Sequence, residues 1–189
     1  MNMIIITGMP GSGKDEFVGV ARSLGFIDVH MGNTVKSYAG ENNINFDDAS
    51  IGSYASGERK IYGMGIWAQR TSKYIENPDI TIVDGLRNFE ELEYFKNNYK
   101  NVIVIAVFAN ESDRLSRVLK RDREDDVHNE DELKKRDNRE LNWGIGKVIS
   151  LADCMIVNDT SLKEYHRNAR ILLNDIISKH GEIKNQLIK

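Results

Sequence analysis

Residues 8–15, Gly-Met-Pro-Gly-Ser-Gly-Lys-Asp, constrain this chain more than any other stretch. They follow an apolar run, Met3-Ile4-Ile5-Ile6, that reads as a buried strand. They precede Phe17, Val18, Ala21 and Leu24, which share one face of a helix. A glycine-rich turn therefore links strand to helix with the spacing G-x-x-x-x-G-K. Small residues let successive backbone N–H groups converge on one anion. The helix start adds partial positive charge. Lys14 supplies a point charge for the outer phosphates of a nucleotide. Gly8, Pro10, Gly11, Ser12, Gly13 and Lys14 are thus candidate nucleotide-binding residues. Three glycines in six positions, followed by lysine, set this apart from an ordinary strand-turn-helix.

Asp15 stands where such a loop usually carries Ser or Thr. A hydroxyl there ligates Mg²⁺. A carboxylate ligates it more strongly but repels phosphate when metal is absent. Binding is therefore expected to depend heavily on metal, with Asp15 a candidate ligand.

At 189 residues the chain suits one domain with a large core and small inserted lobes. A net charge of −3 argues against a general nucleic-acid binder, so any basic patch is local. The one cysteine, Cys154, excludes an internal disulfide and a cysteine-based metal site, and its apolar surroundings predict a buried thiol. No apolar stretch is long enough to span a membrane, and the first strand begins almost at once, so the expected location is cytoplasmic.

Further strands are expected at Phe26–Val29, Ile80–Gly85, Val102–Phe108 and Met155–Val157. Val102–Phe108 is apolar throughout, which suits a strand covered on both faces. Helical stripes lie between them, and Leu162, Tyr165, Ala169, Leu172, Leu173, Ile176 and Ile177 mark a long final helix. Residues 40–65 are dense in Gly, Ser, Asn and Asp and lose periodicity, which reads as a mobile lobe with short helices. A helix is expected from about residue 58 to 76, carrying Arg59, Trp67 and Arg70. Alternating strands and helices predict a five-stranded, parallel, doubly wound sheet with helices on both faces. Ligands in such sheets bind at the carboxyl ends of the strands. The loop at 8–15, His30, Asp84 and Asn158 all fall at that rim.

Asp84 closes an apolar strand and is a candidate Mg²⁺ ligand facing the loop, or a cap for the next helix. Arg87, on the same rim, has the fork geometry for a phosphate. Residues 114–139 hold 9 basic and 8 acidic side chains. A solvated charged helix pair explains such a run. So does a lid whose arginines close over a triphosphate and exclude water. Arg117 and Arg121 are four apart and share a face; Arg123 and Arg136 follow. Trp67 and Trp143 read as core or interface. His128 has no partner at metal-ligand spacing.

With these residues placed, the chain resembles the nucleoside-monophosphate kinase group of P-loop proteins. Most closely it resembles an uncharacterised archaeal P-loop kinase family related to adenylate kinase and dephospho-CoA kinase. The resemblance runs nearly end to end. Residues 8–14 match the adenylate kinase loop Gly-x-Pro-Gly-Ser-Gly-Lys. Met31–Lys36 is similar to the acceptor motif Thr-Gly-Asp-x-x-Arg, with Asn33 for the aspartate and Lys36 for the arginine. Asp84-Gly85-Leu86-Arg87 shortens Asp-Gly-Phe-Pro-Arg. Arg117 and Arg121 match Arg-x-x-x-Arg before the lid, and Arg123, Asp125, Asp126 and Arg136 resemble the arginines and acids that follow. Ala152–Asp159 resembles the last strand of dephospho-CoA kinases, which leads to the adenine site. The segment Asp84–Phe95 is also similar to phosphomevalonate and phage deoxynucleotide kinases.

The resemblance implies that Lys14, Arg121, Arg123 and Arg136 hold ATP phosphates, Arg117 stacks on adenine and Asn158 borders that site. It implies that Lys36, Arg59, Arg70 and Arg87 hold the acceptor, with Arg59 and Arg70 placed by lobe position alone. An acceptor lobe falls at about residues 33–77 and a lid at about 120–135. The expected protein is an ATP- and Mg²⁺-dependent kinase acting on a nucleoside monophosphate-like acceptor, as a monomer or homodimer, with no membrane or nucleic-acid partner. Three alternatives stand beside it. An alcohol acceptor would want a base among Asp28, His30 and Asp84. Another phosphorylated acceptor would not. A nucleotide-binding switch would hydrolyse slowly whatever acceptor is added.

Overall fold

The computed structural model describes residues 2–121 and 127–179. Strand β1 (Asn2–Thr7) sits at the centre, and its alternation builds the core. Ile4 and Ile6 point to one face and Met3 and Ile5 to the other, all essentially inaccessible to water. Successive side chains of a strand face opposite ways, so one apolar hexapeptide anchors two layers.

The strand order is β2-β3-β1-β4-β5, with β2 at Ile27–His30, β3 at Thr81–Leu86, β4 at Asn101–Phe108 and β5 at Cys154–Val157. Every pairing is parallel. The sheet is therefore the five-stranded parallel sheet the alternation predicts. Val104, Ile105, Ala106 and Val107 of β4 are buried on both sides, as their unbroken apolar run requires.

On one face α1 (Lys14–Ser23) and α9 (Leu162–Lys179) bring Phe17, Val18, Ala21, Tyr165, Ala169 and Leu173 onto Ile4 and Ile6. On the other, α2 (Met31–Glu41), α4 (Ile66–Thr71) and α5 (Phe89–Asn98) bring Met31, Val35, Trp67, Leu92 and Phe95 onto Met3 and Ile5. Each such side chain contributes about 1.5–3 kcal/mol on leaving water. Among the described residues no helix is long and apolar enough to cross a membrane.

The structure corrects the expectation for residues 40–76. They hold one long helix, α3 (Asp48–Tyr62), capped by the Asp47 side chain, which accepts from the Ser50 N–H at 2.9 Å. Its glycines and small residues are not loop formers here. Gly52 and Ala55 are buried, and they clear space for a neighbouring helix. The helix expected over 58–76 is broken at Gly63, where φ is +93°, and resumes as α4 and a 3₁₀ turn at Ser72–Tyr74. Periodicity on either side of a Gly-Met-Gly break reads as continuous unless the left-handed residue is recognised. Cys154 is half-buried on edge strand β5, not fully buried.

The charged stretch forms α6 (Glu111–Arg121) and α7 (Glu130–Trp143). Asn129 caps α7 by accepting from the Glu132 N–H, and Glu132 returns a carboxylate to the His128 N–H at 2.7 Å. Arg123, Asp125 and Asp126 lie outside the described residues, as does the side chain of Arg121. A short α8 (Ile145–Ser150) then leads to β5.

Candidate active site

The turn between β1 and α1 is held from three directions, and each glycine marks one of them. A Cβ on Gly8 would lie 2.3 Å from the Val107 carbonyl oxygen of β4. One on Gly11 would lie 2.7 Å from the Arg114 carbonyl oxygen of α6, and one on Gly13 2.1 Å from Asn158 Nδ2. All three have positive φ. Glycine is needed here for both backbone angle and close approach. Helix α1 begins at Lys14 with no side-chain cap, so its first N–H groups face the cleft in front of the loop.

Three distant side chains fasten the loop's carbonyls. Asn158 Nδ2 donates to the Ser12 oxygen at 2.9 Å, the Tyr165 hydroxyl to the Gly13 oxygen at 3.1 Å, and Arg114 Nη1 to the Pro10 oxygen at 3.1 Å. Burial pushes the Tyr165 phenol well above its usual range, so it stays a donor. Arg114 is itself gripped by both carboxylate oxygens of Asp137 on α7, at 3.0 and 2.6 Å. Sequence reasoning passed over Arg114, Tyr165 and Asp137. The only local signal was an arginine and an aspartate on two neighbouring amphipathic stripes.

Lys14 folds back across the loop and donates from Nζ to the Gly8 and Met9 carbonyl oxygens at 2.8 and 3.1 Å. Burial, followed by the Arg87 guanidinium, lowers its amine to about 8. Asp84 does not close β3 as the sequence predicts, since the strand runs on to Leu86; it stands in register with Ile6 of β1, so strand pairing carries it to the loop. Its Oδ2 lies 3.2 Å from His30 Nδ1, while Oδ1 is buried with no hydrogen-bond partner. The Asp84 carboxylate in turn raises the His30 imidazole above its ordinary value.

A buried carboxylate oxygen with no hydrogen-bond donor is the kind of ligand a hard cation takes. Asp15, exposed in the first turn of α1, lines the same cleft. No group of three or more His, Cys, Asp or Glu side chains among the described residues is placed to hold a metal alone. One or two carboxylates completed by phosphate oxygens and water is the set Mg²⁺ ordinarily takes, so the residues present fit it.

This cleft, about 710 Å³, is also lined by Pro10, Gly11, Gly13, Lys36, Arg87, Arg117, Arg136 and Asn158. Arg117 donates from Nη2 to the Asn158 carbonyl oxygen at 2.8 Å, which brings the two expected adenine-side residues together. A second cavity, between α3 and α7, shares Lys36, Arg87 and Arg136 with it. Arg87 Nη1 donates to Glu140 at 2.7 Å. Arg136 Nε lies 3.3 Å from Asp48 and 3.6 Å from Glu140. Arg59 is buried in the second cavity, paired with Glu91 at 2.8 Å. Glu91 also accepts the Arg87 backbone N–H at 2.8 Å, so one buried carboxylate positions both arginines.

Arg70 borders neither space. It pairs with Glu58 at 2.5 Å and stacks on Tyr38 and Trp67 at 4.3 and 4.8 Å. Asp28 also lies outside the main cleft. Arg22 forks onto it and lowers its carboxyl, which leaves it poorly suited to act as a base.

Residues 4–141 match the family model described as an AAA domain. A UPF0200 protein of Thermoplasma volcanium is 58% identical over 173 residues, covering 92% of this chain and 97% of that one. A UPF0200 protein of Methanopyrus kandleri is 39% identical over 93% of this chain and 90% of its own. Among solved structures, the shikimate kinase of Acinetobacter baumannii in complex with shikimate has a TM-score of 0.61 at 14% identity, covering 95% of this chain and 94% of that one. A gluconokinase of Sinorhizobium meliloti has a TM-score of 0.58 at 13% identity, covering 94% of each. At such identities the likeness shows the fold. With the phosphate loop, the sheet order and these relatives in agreement, the chain belongs to the UPF0200 family, an AAA-type P-loop domain of kinase-like fold.

Proposed function

We propose that this protein is an ATP- and Mg²⁺-dependent phosphotransferase that acts on a small phosphorylated acceptor. The observation that carries the reading is the shared wall. A phosphate-loop cleft and a second cavity meet at Lys36, Arg87 and Arg136. A donor phosphate and an acceptor would face each other across those cations. Phosphoryl transfer needs little from the protein beyond such positioning and charge neutralisation.

In this reading Lys14 and Arg136 hold the ATP phosphates, together with Arg121 and Arg123 from the lid. Gly8 through Gly13 cradle them, and Arg117 and Asn158 border the adenine. Lys36, Arg59 and Arg87 hold the acceptor. Arg70, beside Tyr38 and Trp67, supports its lobe. Asp84 and Asp15 would hold Mg²⁺, which when bound neutralises phosphate charge. A phosphate acceptor is already a nucleophile and needs no general base, which suits the engagement of Asp28 with Arg22. A nucleoside monophosphate is the first acceptor to test. The working location is the cytoplasm, as a monomer or homodimer.

The test is transfer of γ-labelled phosphate from ATP to a panel of nucleoside monophosphates, dephospho-CoA and phosphomevalonate. A kinase forms ADP only as fast as a second labelled product appears. Slow ADP release that ignores every acceptor would overturn the reading in favour of a nucleotide switch.

A further inference from the structure

The cavity between α3 and α7 carries a recognition feature that phosphoryl transfer alone does not explain. Its floor comes from one face of α3. Asp48, Gly52, Ala55 and Arg59 recur at helical spacing, and the two small residues open room beside α7. A Cβ on Gly52 would lie 2.4 Å from the Arg139 guanidinium carbon, so the glycine is what lets Arg139 lie across the helix. The remaining walls are largely apolar, with Met31, Val35, Ile51, Trp67 and Trp143 among them.

Arg59 is 4% exposed and rigidly held. Its Nη2 is fixed by Glu91, and its guanidinium lies 4.2 Å above the Trp143 ring. Its Nε and Nη1 are buried and have no hydrogen-bond partner, and the same holds for Nε of Arg139. Buried donors are satisfied in nearly every native protein, so three left open beside one cavity point to an acceptor that arrives from outside. Charge gives its sign. Five basic side chains line the cavity against two acidic ones, Asp48 and Glu140. The cavity, about 90 Å³ against roughly 10–15 Å³ per water on the same measure, holds a ring-sized group and not a whole nucleotide. Arg59 does not line the phosphate-loop cleft, so this end of the cavity lies outside it.

We infer that the inner end of this cavity binds an oxyanion, a carboxylate or a phosphate, carried on a small apolar body, with Arg59 as its principal ligand. The inference rests on the kinase reading only in calling that molecule the acceptor. It then describes an acceptor with two ends: one meets the transferred phosphoryl group near Lys36 and Arg87, and the other is a second acid held by Arg59. A plain nucleoside monophosphate offers a neutral base at that end, so the inference favours a phosphorylated acid.

Both tryptophans of the chain, Trp67 and Trp143, line this cavity, so intrinsic fluorescence reports its occupation directly. Benzoate, phenyl phosphate and the neutral benzamide are the probes, each titrated into the intact protein. Benzoate or phenyl phosphate is expected to change the emission saturably and to bind at least about tenfold tighter than benzamide. The tighter of the two acids identifies carboxylate or phosphate. Arg59→Met should abolish that preference. Since it strands Glu91, the paired change Arg59→Met with Glu91→Met is measured beside it, and Arg59→Lys keeps the charge while losing the planar donors. Benzamide binding as well as benzoate, or an undiminished preference for the acid in folded Arg59 variants, overturns the inference. Binding of a fluorescent ADP analogue to the same samples keeps the two claims apart. If it binds while the acids show no preference, the oxyanion site falls and the nucleotide site stands; if it fails to bind, the kinase reading falls, and the acid-to-benzamide ratio still decides the oxyanion site.

Discussion

The two ends of this cleft are held by different forces. The phosphate loop is fixed by contacts to its backbone. Asn158, Tyr165 and Arg114 each take one carbonyl, and glycines allow β4 and α6 to press against it. The α3–α7 side is fixed by charge. Asp48 accepts two bonds from Arg139 Nη2 at 2.7 and 2.8 Å, Arg87 reaches Glu140, and Arg59 is shared between Glu91 and Trp143. Backbone contacts give one shape that persists when a ligand leaves. Ion pairs give an arrangement that an incoming anion competes for. The contrast sets a preformed phosphate loop against an α3–α7 side where an incoming anion would compete for the Asp48 pairs.

The strongest test of that contrast is Arg114→Met. The change removes the Pro10 contact and leaves the Asp137 carboxylate buried with its arginine gone. Breaking a buried pair from one side costs about 3–5 kcal/mol. Urea unfolding should show that loss, and the double variant Arg114→Met with Asp137→Leu should recover most of it. A loss within error of zero would mean that the loop does not depend on α6 and α7.

Lys14→Ala comes next. The amine is the only positive side-chain charge within residues 8–15, so turnover should fall by about two to three orders of magnitude with the fold intact. A folded variant with the parent's rate would remove the phosphate-loop assignment itself.

Lys14 also predicts a pH effect of its own. Its amine sits at about 8 in the folded chain against an ordinary 10.5, because burial opposes the charge. Between those values the unfolded chain binds more protons than the native one, so stability without nucleotide should rise with pH across that window. Nucleotide phosphates favour the charged amine. Binding at about pH 8.5 should therefore take up a proton, and affinity should fall by up to about tenfold per pH unit above 8. Calorimetry in buffers of differing ionisation heat measures that proton. Its absence would mean that Lys14 is already charged in the empty loop.

How much of this could be read from the sequence follows from chain distance. The loop was legible because its residues are consecutive. The sheet was legible because β1 and β4 carry unbroken apolar runs and strands alternate with helical stripes. Asp84 was legible because an acid breaks the apolar run of its strand, although the strand continues to Leu86. Arg114, Tyr165, Glu91 and Glu140 were not. Their partners lie far along the chain, Gly13 and Tyr165 by 152 residues, and nothing local distinguishes them from other charged or aromatic positions on a helix face. Arg59 and Arg70 look alike in the sequence, eleven residues apart on what reads as one helix. The break at Gly63 turns them into different environments, one in the cavity and one stacked on Tyr38. Pattern reading finds elements and rims. It does not find which of two similar arginines faces inward.

Asp48→Asn tests the other half of the comparison and carries the smallest expected effect. Asp48 stands at the start of α3, 17% exposed, facing Arg139 and Arg136 from α7. The amide keeps the volume and one acceptor oxygen but removes the charge. For a partly exposed pair of this kind the loss should be about 0.5–1 kcal/mol. Salt supplies the discriminating measurement. Screening at high ionic strength should shrink the difference between parent and Asp48→Asn while leaving the Arg114→Met deficit nearly unchanged, because buried pairs are screened far less. Inorganic phosphate should shrink it further at equal ionic strength, since the released guanidiniums can then take an anion. A deficit as large as that of Arg114→Met, or one that ignores both salt and phosphate, would show that α3 and α7 are locked as firmly as the loop. The α3–α7 side would then be preformed too.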